Sequence, residues 1–134
     1  MDIKRVTYFS VSGSDQAGET ARLAKHIAEH EINLAAIFSL GVGRGNAEII
    51  AIPLSAPTFR KAIKFTNWVV REGVCFHLTG EDRAGALVET LNQIAQEGIN
   101  LQAVYAMGVG ERYSAYIWCG EKDIELIRKI LKGW

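Results

Sequence analysis

The chain has 134 residues, and 15 lysine and arginine residues balance 15 aspartate and glutamate residues, so its formal net charge is zero. This balance excludes an electrostatically driven nucleic-acid binder, because such proteins neutralise phosphates with an excess of positive charge. A hydrophobic fraction of 49% with only two prolines indicates a packed globular fold rather than a disordered chain.

The cysteine content and the N-terminal sequence suggest a cytoplasmic protein. Cys75 and Cys119 are too few for a disulfide scaffold, and no apolar leader follows the charged start Asp2-Ile3-Lys4-Arg5. The longest stretch without charge, residues 32–43, is far shorter than the roughly 20 apolar residues that span a bilayer. We therefore expect no membrane segment.

The most informative feature of the sequence is an internal repeat. A shift of 67 residues aligns the two halves without a gap, and residues 9–43 then carry 14 identities in 35 positions. Unrelated sequences of ordinary composition would share about two. We therefore expect two copies of one structural unit, residues 1–70 and 71–134.

The same predicted elements follow one another in both halves, and those of the first half recur 67 residues later. Alternation of apolar and polar residues over 7–12 predicts a first strand. After a turn at Gly13 comes the spacing of an amphipathic helix. Its apolar positions are Ala17, Ala21, Ala24, Ile27 and Ala28.

A β-hairpin and a second helix complete the pattern. Residues 34–42 and 47–53 flank a glycine-rich turn, which is typical of a hairpin. A second helix is expected over about residues 56–66, and residues 68–70 supply a last strand. The chain ends before the second half can form a full last strand of its own.

The predicted fold class is α+β, with two ferredoxin-like βαββαβ repeats whose helices cover one face of antiparallel sheets. One copy is small for an independent core, so we expect the copies to form one compact pseudo-dimer. Tyr8, Tyr116 and Trp118 should lie on the sheet face opposite the helices. We expect a second subunit to cover this aromatic face, which predicts a homodimer.

Three patterns resemble catalytic, metal or phosphate sites but have a simpler structural explanation. His26 and His30 have a spacing that lets two imidazoles share a metal, yet no third ligand is evident. Cys75 and His77 share a strand face without a group to orient a base. Residues 41–45 lead into a strand rather than a helix, which indicates a hairpin and not a phosphate loop. The sequence predicts no catalytic residue, no metal and no cofactor.

A duplicated loop between the first strand and the first helix is the strongest functional pattern. It reads Gly-Ser-Asp-Gln-Ala-Gly from Gly13 and Gly-Glu-Asp-Arg-Ala-Gly from Gly80. Small residues let a ligand approach the backbone, and the N–H groups of a first helical turn attract a carboxylate. Asp15 and Asp82 are placed either to cap that turn or to receive a ligand ammonium group.

A second repeated element lies at the start of the second strand of each copy. It reads Ile32-Asn33-Leu34 in the first copy and Ile99-Asn100-Leu101 in the second. An asparagine amide both donates and accepts hydrogen bonds, so it is able to recognise the backbone of an amino acid. It is equally suited to turning the chain.

Together these motifs resemble the ACT domain, a small-molecule-sensing βαββαβ module of amino acid metabolism. The resemblance is carried by Gly80-Glu81-Asp82-Arg83-Ala84-Gly85-Ala86-Leu87, by Gly98-Ile99-Asn100-Leu101 and by the glycine hairpin, and it covers the whole chain as two copies. The first copy departs from the pattern because Gln16 replaces the usual arginine, and both copies have alanine where the family often has proline. The family's usual context includes an attached catalytic domain, and we expect none here because the two copies account for the 134 residues.

ACT modules typically bind an amino acid where two modules meet, between the loop of one module and the start of the second strand of its neighbour. For this chain the resemblance implies two such ligand sites. The first comprises Ser14, Asp15, Gln16, Ala17 and Gly18 with Asn100, Leu101 and Gln102, and the second comprises Glu81, Asp82, Arg83, Ala84 and Gly85 with Asn33, Leu34 and Ala35.

The function that this resemblance implies is a non-enzymatic regulatory module, which binds an amino acid and alters a separate enzyme partner. The alternative is a protein-interaction adaptor whose loops are purely structural, and an enzyme is the third choice. Because the two loops differ in sequence, the two sites need not bind the same ligand.

Overall fold

The computed structural model describes residues 1–81 and 85–132, and these residues form six strands and four α-helices in two βαββαβ sets. The elements are β1 (Asp2–Ser14), α1 (Glu19–Glu29), β2 (Leu34–Gly43), β3 (Asn46–Pro53), α2 (Ala56–Ile63), β4 (Val69–Glu81), α3 (Val88–Gln96), β5 (Leu101–Val109), β6 (Arg112–Cys119) and α4 (Ile124–Leu131), the last preceded by a 3-10 turn at Glu121–Asp123. Within these described ranges, no helix combines the length and apolar composition needed to cross a membrane.

The chain divides into two compact units, one contiguous in sequence and one built from two separate segments. The first unit is Thr7–Gly73, and the second combines Met1–Val6 with the described residues from Val74 onward. Residues 2–6 of β1 therefore belong to the second unit, and the rest of β1 belongs to the first. The limits 1–70 and 71–134 stay a prediction about the sequence duplication.

In the first unit, β2 pairs with β3 and β3 pairs with β1, all antiparallel. The predicted alternation of β1 is confirmed, because Phe9 and Val11 are buried in the core beneath α1 and α2. Phe9 contacts Phe59 of α2 with 4.4 Å between ring centroids. The buried residues of α1 are Leu23 and Ile27. Ile27 of the predicted stripe is therefore confirmed, whereas the predicted positions Ala21, Ala24 and Ala28 are exposed and were wrong.

The second unit repeats this plan with β4, β6 and β5. Phe76 and Leu78 of β4 face its core, together with Ile94 of α3 and Ile127 of α4. Ile3 of the N-terminal segment packs against the same core. Both units are thus ferredoxin-like, as the element order predicts.

The sequence alignment suggests a repeat without gaps, but the structure shows an extra residue in the first hairpin. In the first hairpin, a register shift between Gly41 and Gly43 accommodates an additional residue, Val42, that the second hairpin lacks. Ile49 and Ala115 therefore occupy equivalent buried positions one residue away from the 67-residue spacing. Local insertions of this kind conserve the core while shifting the numbering.

The face opposite the helices contradicts the prediction of an uncovered aromatic patch. Tyr116 and Trp118 do point away from the helix-covered core, but they are only 4% and 6% exposed within a single chain. His77 stacks on Tyr116 at 4.3 Å between ring centroids, and Tyr105 contacts Trp118 edge-on at 5.5 Å. Because these side chains are already buried, they give no reason for a second subunit to cover this face.

Candidate functional site

The duplicated loop has the same backbone plan in both units where the structure describes it. Ser14 ends β1, and the N–H of Asp15 donates to the carbonyl of Gly45 at 2.8 Å. Gly18 then adopts a left-handed conformation with φ of +88° before α1 begins, and Gly85 repeats this with φ of +77° before α3. These positions favour glycine because other residues enter that region at a cost.

Part of the second predicted loop is not covered by these observations. Asp82, Arg83 and Ala84 lie outside the residues that the structure describes. Glu81 is the last residue of β4 and is exposed, and Gly85 is the first described residue beyond the gap.

Neither helix that follows the duplicated loop is capped by a side chain. Gly18 is the N-cap of α1 and Leu87 is the N-cap of α3, and neither makes a side-chain cap hydrogen bond. In α2, by contrast, the Ser55 hydroxyl accepts from the N–H of Thr58. Asp15 therefore does not cap α1, which corrects that interpretation. The N–H groups of Glu19 and Val88, the first of α1 and α3, already donate to the carbonyls of Gln16 and Gly85 at 3.2 and 3.0 Å. An anion would therefore have to bind the later N–H groups of each first turn.

The carboxylate of Asp15 lies over the end of β2 instead. A Cβ atom added at Gly41 would come within 2.6 Å of Asp15 Oδ2, so the absence of a side chain at Gly41 makes room for this carboxylate. Asp15 is exposed, which leaves its negative charge accessible beside the uncapped helix start.

The first glycine of each motif has a packing role of its own. A Cβ at Gly13 would lie 2.9 Å from Glu19 Oε1, and a Cβ at Gly80 would lie 2.7 Å from the ring of Tyr113. The glycine that both copies share thus leaves room for the carboxylate of Glu19 in the first unit and for the ring of Tyr113 in the second. For these two glycines, the structural explanation is sufficient.

A charged and aromatic cluster supports the start of α1. Arg22 donates to Glu19 at 2.9 Å, and its guanidinium lies 4.5 Å from the centroid of the Trp68 ring. The hydrogen bond from Arg22 lowers the pKa of Glu19 against the opposing effect of burial, with further lowering from the charge of Arg22 and from Trp68. Because Arg22 pairs with Glu19, the negative charge that the first loop exposes is that of Asp15.

The strand starts that the resemblance implicates are exposed and irregular. The side chains of Asn33 and Asn100 are exposed, and the Asn33 carbonyl accepts from the N–H of Leu54 at 2.9 Å. Register shifts follow Leu34 in β2 and Leu101 in β5. Ala35 and Gln102 lie at these shifts, so neither is among the paired residues of its strand, and both are exposed.

Within one unit, the loop and the strand start lie at opposite ends of the sheet. Ser14 and Gly43 both pair with Asn46 at the hairpin-turn end, whereas Leu34 pairs with Pro53 at the other end. The ten residues of β2 separate these ends by about 30 Å. The structure therefore does not bring Asp15 and Asn33 together within a unit, and a site that uses both kinds of element requires a neighbouring module.

Sequence reasoning missed a cavity of about 270 Å³ in the second unit. It lies between the start of α3 and the end of β5, and it is lined by residues 85–88, residues 106–108 and Tyr113. The only one of these residues that the sequence implicated is Gly85. A signal was present in the repeat, because Leu87 and Ala106 are the apolar counterparts of Thr20 and Ser39.

The cysteine and histidine of β4 are held by structural contacts. Cys75 is fully buried, and this burial raises the pKa of its thiol to about 12, so a thiolate is not formed near neutral pH. His77 Nε2 lies 2.8 Å from the Ser114 hydroxyl. This geometry gives no activated nucleophile.

The two histidines of α1 are likewise engaged with the backbone. His26 Nε2 donates to the carbonyl of Ala62 at 2.8 Å, so His26 is not a purely solvated side chain. His30 Nδ1 donates to the carbonyl of His26 at 2.9 Å. Over residues 1–81 and 85–132, no group of three or more His, Cys, Asp or Glu side chains is placed to hold a metal ion.

Comparison with known proteins places the chain through its fold rather than its sequence. No family model matches the sequence, and no curated protein matches it significantly. Protein BT0572 from Bacteroides thetaiotaomicron aligns over 98% of this chain and 89% of its own, with a TM-score of 0.87 and 17% identity. The ligand-free regulatory subunit of aspartate kinase from Thermus thermophilus aligns over 99% and 97%, with a TM-score of 0.68 and 14% identity.

A third structure, of aspartokinase alpha and beta subunits, aligns over 98% of this chain and 95% of its own, with a TM-score of 0.61 and 17% identity. These likenesses extend over nearly the whole of each chain, so they concern the tandem arrangement and not a single repeat. The resemblance to ACT-domain proteins is therefore confirmed at the level of the fold.

Proposed function

We propose that this protein is a non-enzymatic regulatory protein, which binds an amino acid at its duplicated loops and thereby alters a partner enzyme in the cytoplasm. The observation that carries the proposal is the pair of uncapped helix starts, at Gly18 and Leu87, directly after these loops. The fold that the chain shares with a regulatory subunit of aspartate kinase supports it.

The charges around the first loop suit a zwitterion. The first-turn N–H groups of α1 provide partners for an α-carboxylate. The exposed carboxylate of Asp15 provides a partner for the ammonium group, whereas the charge of Glu19 is paired with Arg22 at 2.9 Å. A ligand with both groups on one carbon satisfies the two preferences together.

The neighbouring module in this proposal comes from a second copy of the chain. β2 pairs with β3 alone and β5 with β6 alone in the described sheet order, so each has a backbone edge open to another strand. Both strands also expose large apolar side chains, and these are Ile37, Leu40, Val42, Val104, Met107 and Val109. Pairing of such edges in a homodimer would bring the loop of one chain towards the strand start of the other. Sedimentation should give a dimer at micromolar concentration, and a strict monomer would contradict this part of the proposal.

The test is a thermal-unfolding screen of the full chain with each standard amino acid. A ligand at 100 times its dissociation constant raises the free energy of unfolding by about 2.7 kcal/mol, which gives a clear shift in Tm. Asp15→Ala and Asn100→Ala should each weaken binding of the ligand found, because both side chains are exposed and lie at element ends. Glu29→Ala is the matched control, since this exposed glutamate lies at the far end of α1.

The alternative functions give different results. An adaptor without a small-molecule ligand shows no stabilisation by any amino acid, and that result would overturn the proposal. Equal affinity of the wild type, Asp15→Ala and Asn100→Ala would exclude the proposed loop and strand residues while retaining a sensor function.

A further inference from the structure

The two units differ at one contact between the helix start and the end of the second strand. In the first unit, the Thr20 hydroxyl donates to Ser39 Oγ at 2.9 Å and ties α1 to β2. In the second unit, the residues at the same repeat positions are Leu87 and Ala106, which form no hydrogen bond through their side chains. The first unit therefore has a side-chain hydrogen bond at this contact, and the second unit has a pair of apolar side chains.

The cavity of about 270 Å³ lies at this apolar pair. Leu87, Val88, Met107 and Tyr113 line it with large side chains, and the lining residues within the described part of the chain are uncharged. Val88 is 55% exposed and Met107 is 48% exposed, so their apolar surfaces are accessible from outside. The volume suits one small side chain and is below the range of about 300–1,000 Å³ typical of sites for larger ligands.

The cavity also adjoins the uncapped start of α3. Leu87 is both the N-cap of this helix and a wall of the cavity. A ligand whose carboxylate meets the first-turn N–H groups therefore has its side chain within reach of the cavity. Apolar side chains gain from burial there, whereas a charged side chain would meet no opposite charge among the described lining residues.

We infer that the second unit selects an amino acid with an apolar side chain, which enters the cavity between Leu87 and Ala106. This inference rests on the proposed amino acid binding and adds the class of ligand. In the first unit, the hydrogen bond between Thr20 and Ser39 closes the equivalent contact and the loop is acidic, so that site does not share this preference.

Calorimetric titration of the full chain with L-leucine, L-valine, L-aspartate and L-lysine tests the inference. We expect the apolar pair to bind at least about tenfold more tightly than the charged pair, and leucine and valine to differ by about tenfold or more for the one methylene between them. Ala106→Leu fills the cavity from an exposed strand position and should abolish the preference for apolar ligands. Ala95→Leu is the matched control, because it adds the same bulk to an exposed position of α3 that does not line the cavity.

A second variant reproduces the polar tie of the first unit. The double substitution Leu87→Thr with Ala106→Ser should reduce affinity for L-leucine by at least about tenfold. Because Leu87 also packs against the core, its folding is checked by urea unfolding, and Ala106→Leu retains that core contact. Agreement between the two variants locates the ligand in the cavity.

The outcomes separate this inference from the proposed function. Binding of charged but not apolar amino acids would overturn the inference and leave amino acid sensing intact. Tight binding of L-leucine that neither variant changes would also overturn it, because the ligand would then lie elsewhere. If no amino acid binds, the proposed function fails and the inference fails with it.

Discussion

His77 shows how a single strand residue is controlled by its surroundings. Its ring stacks on Tyr116, and its Nε2 atom lies 2.8 Å from the Ser114 hydroxyl. Burial lowers the pKa of His77, and the positive charge of Lys4 lowers it further. The neutral imidazole is therefore the form that the folded chain favours.

This shift makes the stability of the protein depend on pH. The unfolded chain, with an ordinary histidine pKa near 6.5, binds a proton more readily than the folded chain does. The contribution of His77 is therefore fully present above the unfolded pKa and is lost as the pH falls from there through the folded pKa. Urea unfolding at about pH 7.5 and about pH 5.5 should show a smaller decrease for His77→Gln than for the wild type. His30→Gln, at the exposed C-cap position after α1, is the control, and an unchanged decrease in His77→Gln would contradict the assignment.

The site residues show what a linear sequence reveals and what it does not. The duplicated loop and its left-handed glycines follow from residue types at fixed positions. The place of the Asp15 carboxylate does not, because it depends on Gly41, which only the folded hairpin brings next to the loop. The cavity beside Leu87 was missed for the same reason, since its other wall comes from β5.

The two loop-to-helix junctions depend on backbone conformation more than on space. A Cβ at Gly18 or Gly85 would meet no atom within 4 Å, so only the positive φ opposes a side chain there. Gly18→Ala and Gly85→Ala should each lower the free energy of unfolding by about 1–2 kcal/mol. Gly120 is a matched control because its φ is −66°, and Gly120→Ala should raise the free energy of unfolding by about 0.4–1 kcal/mol. Equal effects of the three substitutions in urea unfolding would contradict this explanation.

Helix α1 illustrates how an element is easier to predict than its orientation. Its existence follows from the amphipathic spacing, but the predicted stripe treats alanine as equal to larger apolar residues. Leu23 and Ile27 bury more surface, so they determine which face turns towards the core, and the alanines lie outside. The phase of a helix is thus set by its largest apolar side chains and by the sheet that receives them.

The exchange of N-terminal residues links stability of the second unit to the first few residues of the chain. Ile3 packs against the core of that unit, and Arg5 lies 3.6 Å from Glu125 of α4. Ile3→Ala should lower the free energy of unfolding by about 1–2 kcal/mol, less than for a fully buried isoleucine because Ile3 is half-buried. Arg5→Ala should change it by less than about 1 kcal/mol, since the ion pair is exposed. Hydrogen exchange should report the loss for Ile3→Ala mainly in β6 and α4, and an equal loss in β2 and β3 would contradict it.

At the scale of the whole molecule, the duplication predicts two βαββαβ sets but not their exact membership. The hydrophobic pattern identifies residues 2–6 as part of a strand, and it carries no information about which set that strand completes. Ile3 and Val70, which are 67 residues apart, pack beside the cores of the second and the first unit respectively. Only the three-dimensional contacts show that residues 1–6 belong to the second unit, whereas the first unit is contiguous.

Membership of residues 1–6 in the second unit also determines an order of events during synthesis. The first unit is contiguous from Thr7 to Gly73, so all of it has been synthesised before the residues from Val74 onward. The N-terminal segment, in contrast, is translated first and must wait for β4, β6 and α4 before it finds its place. Closing so long a loop is slow compared with local pairing. Lys4 and Arg5 lie between the apolar residues Ile3 and Val6. Until the segment is paired, these two charges oppose its association with the strands of other chains.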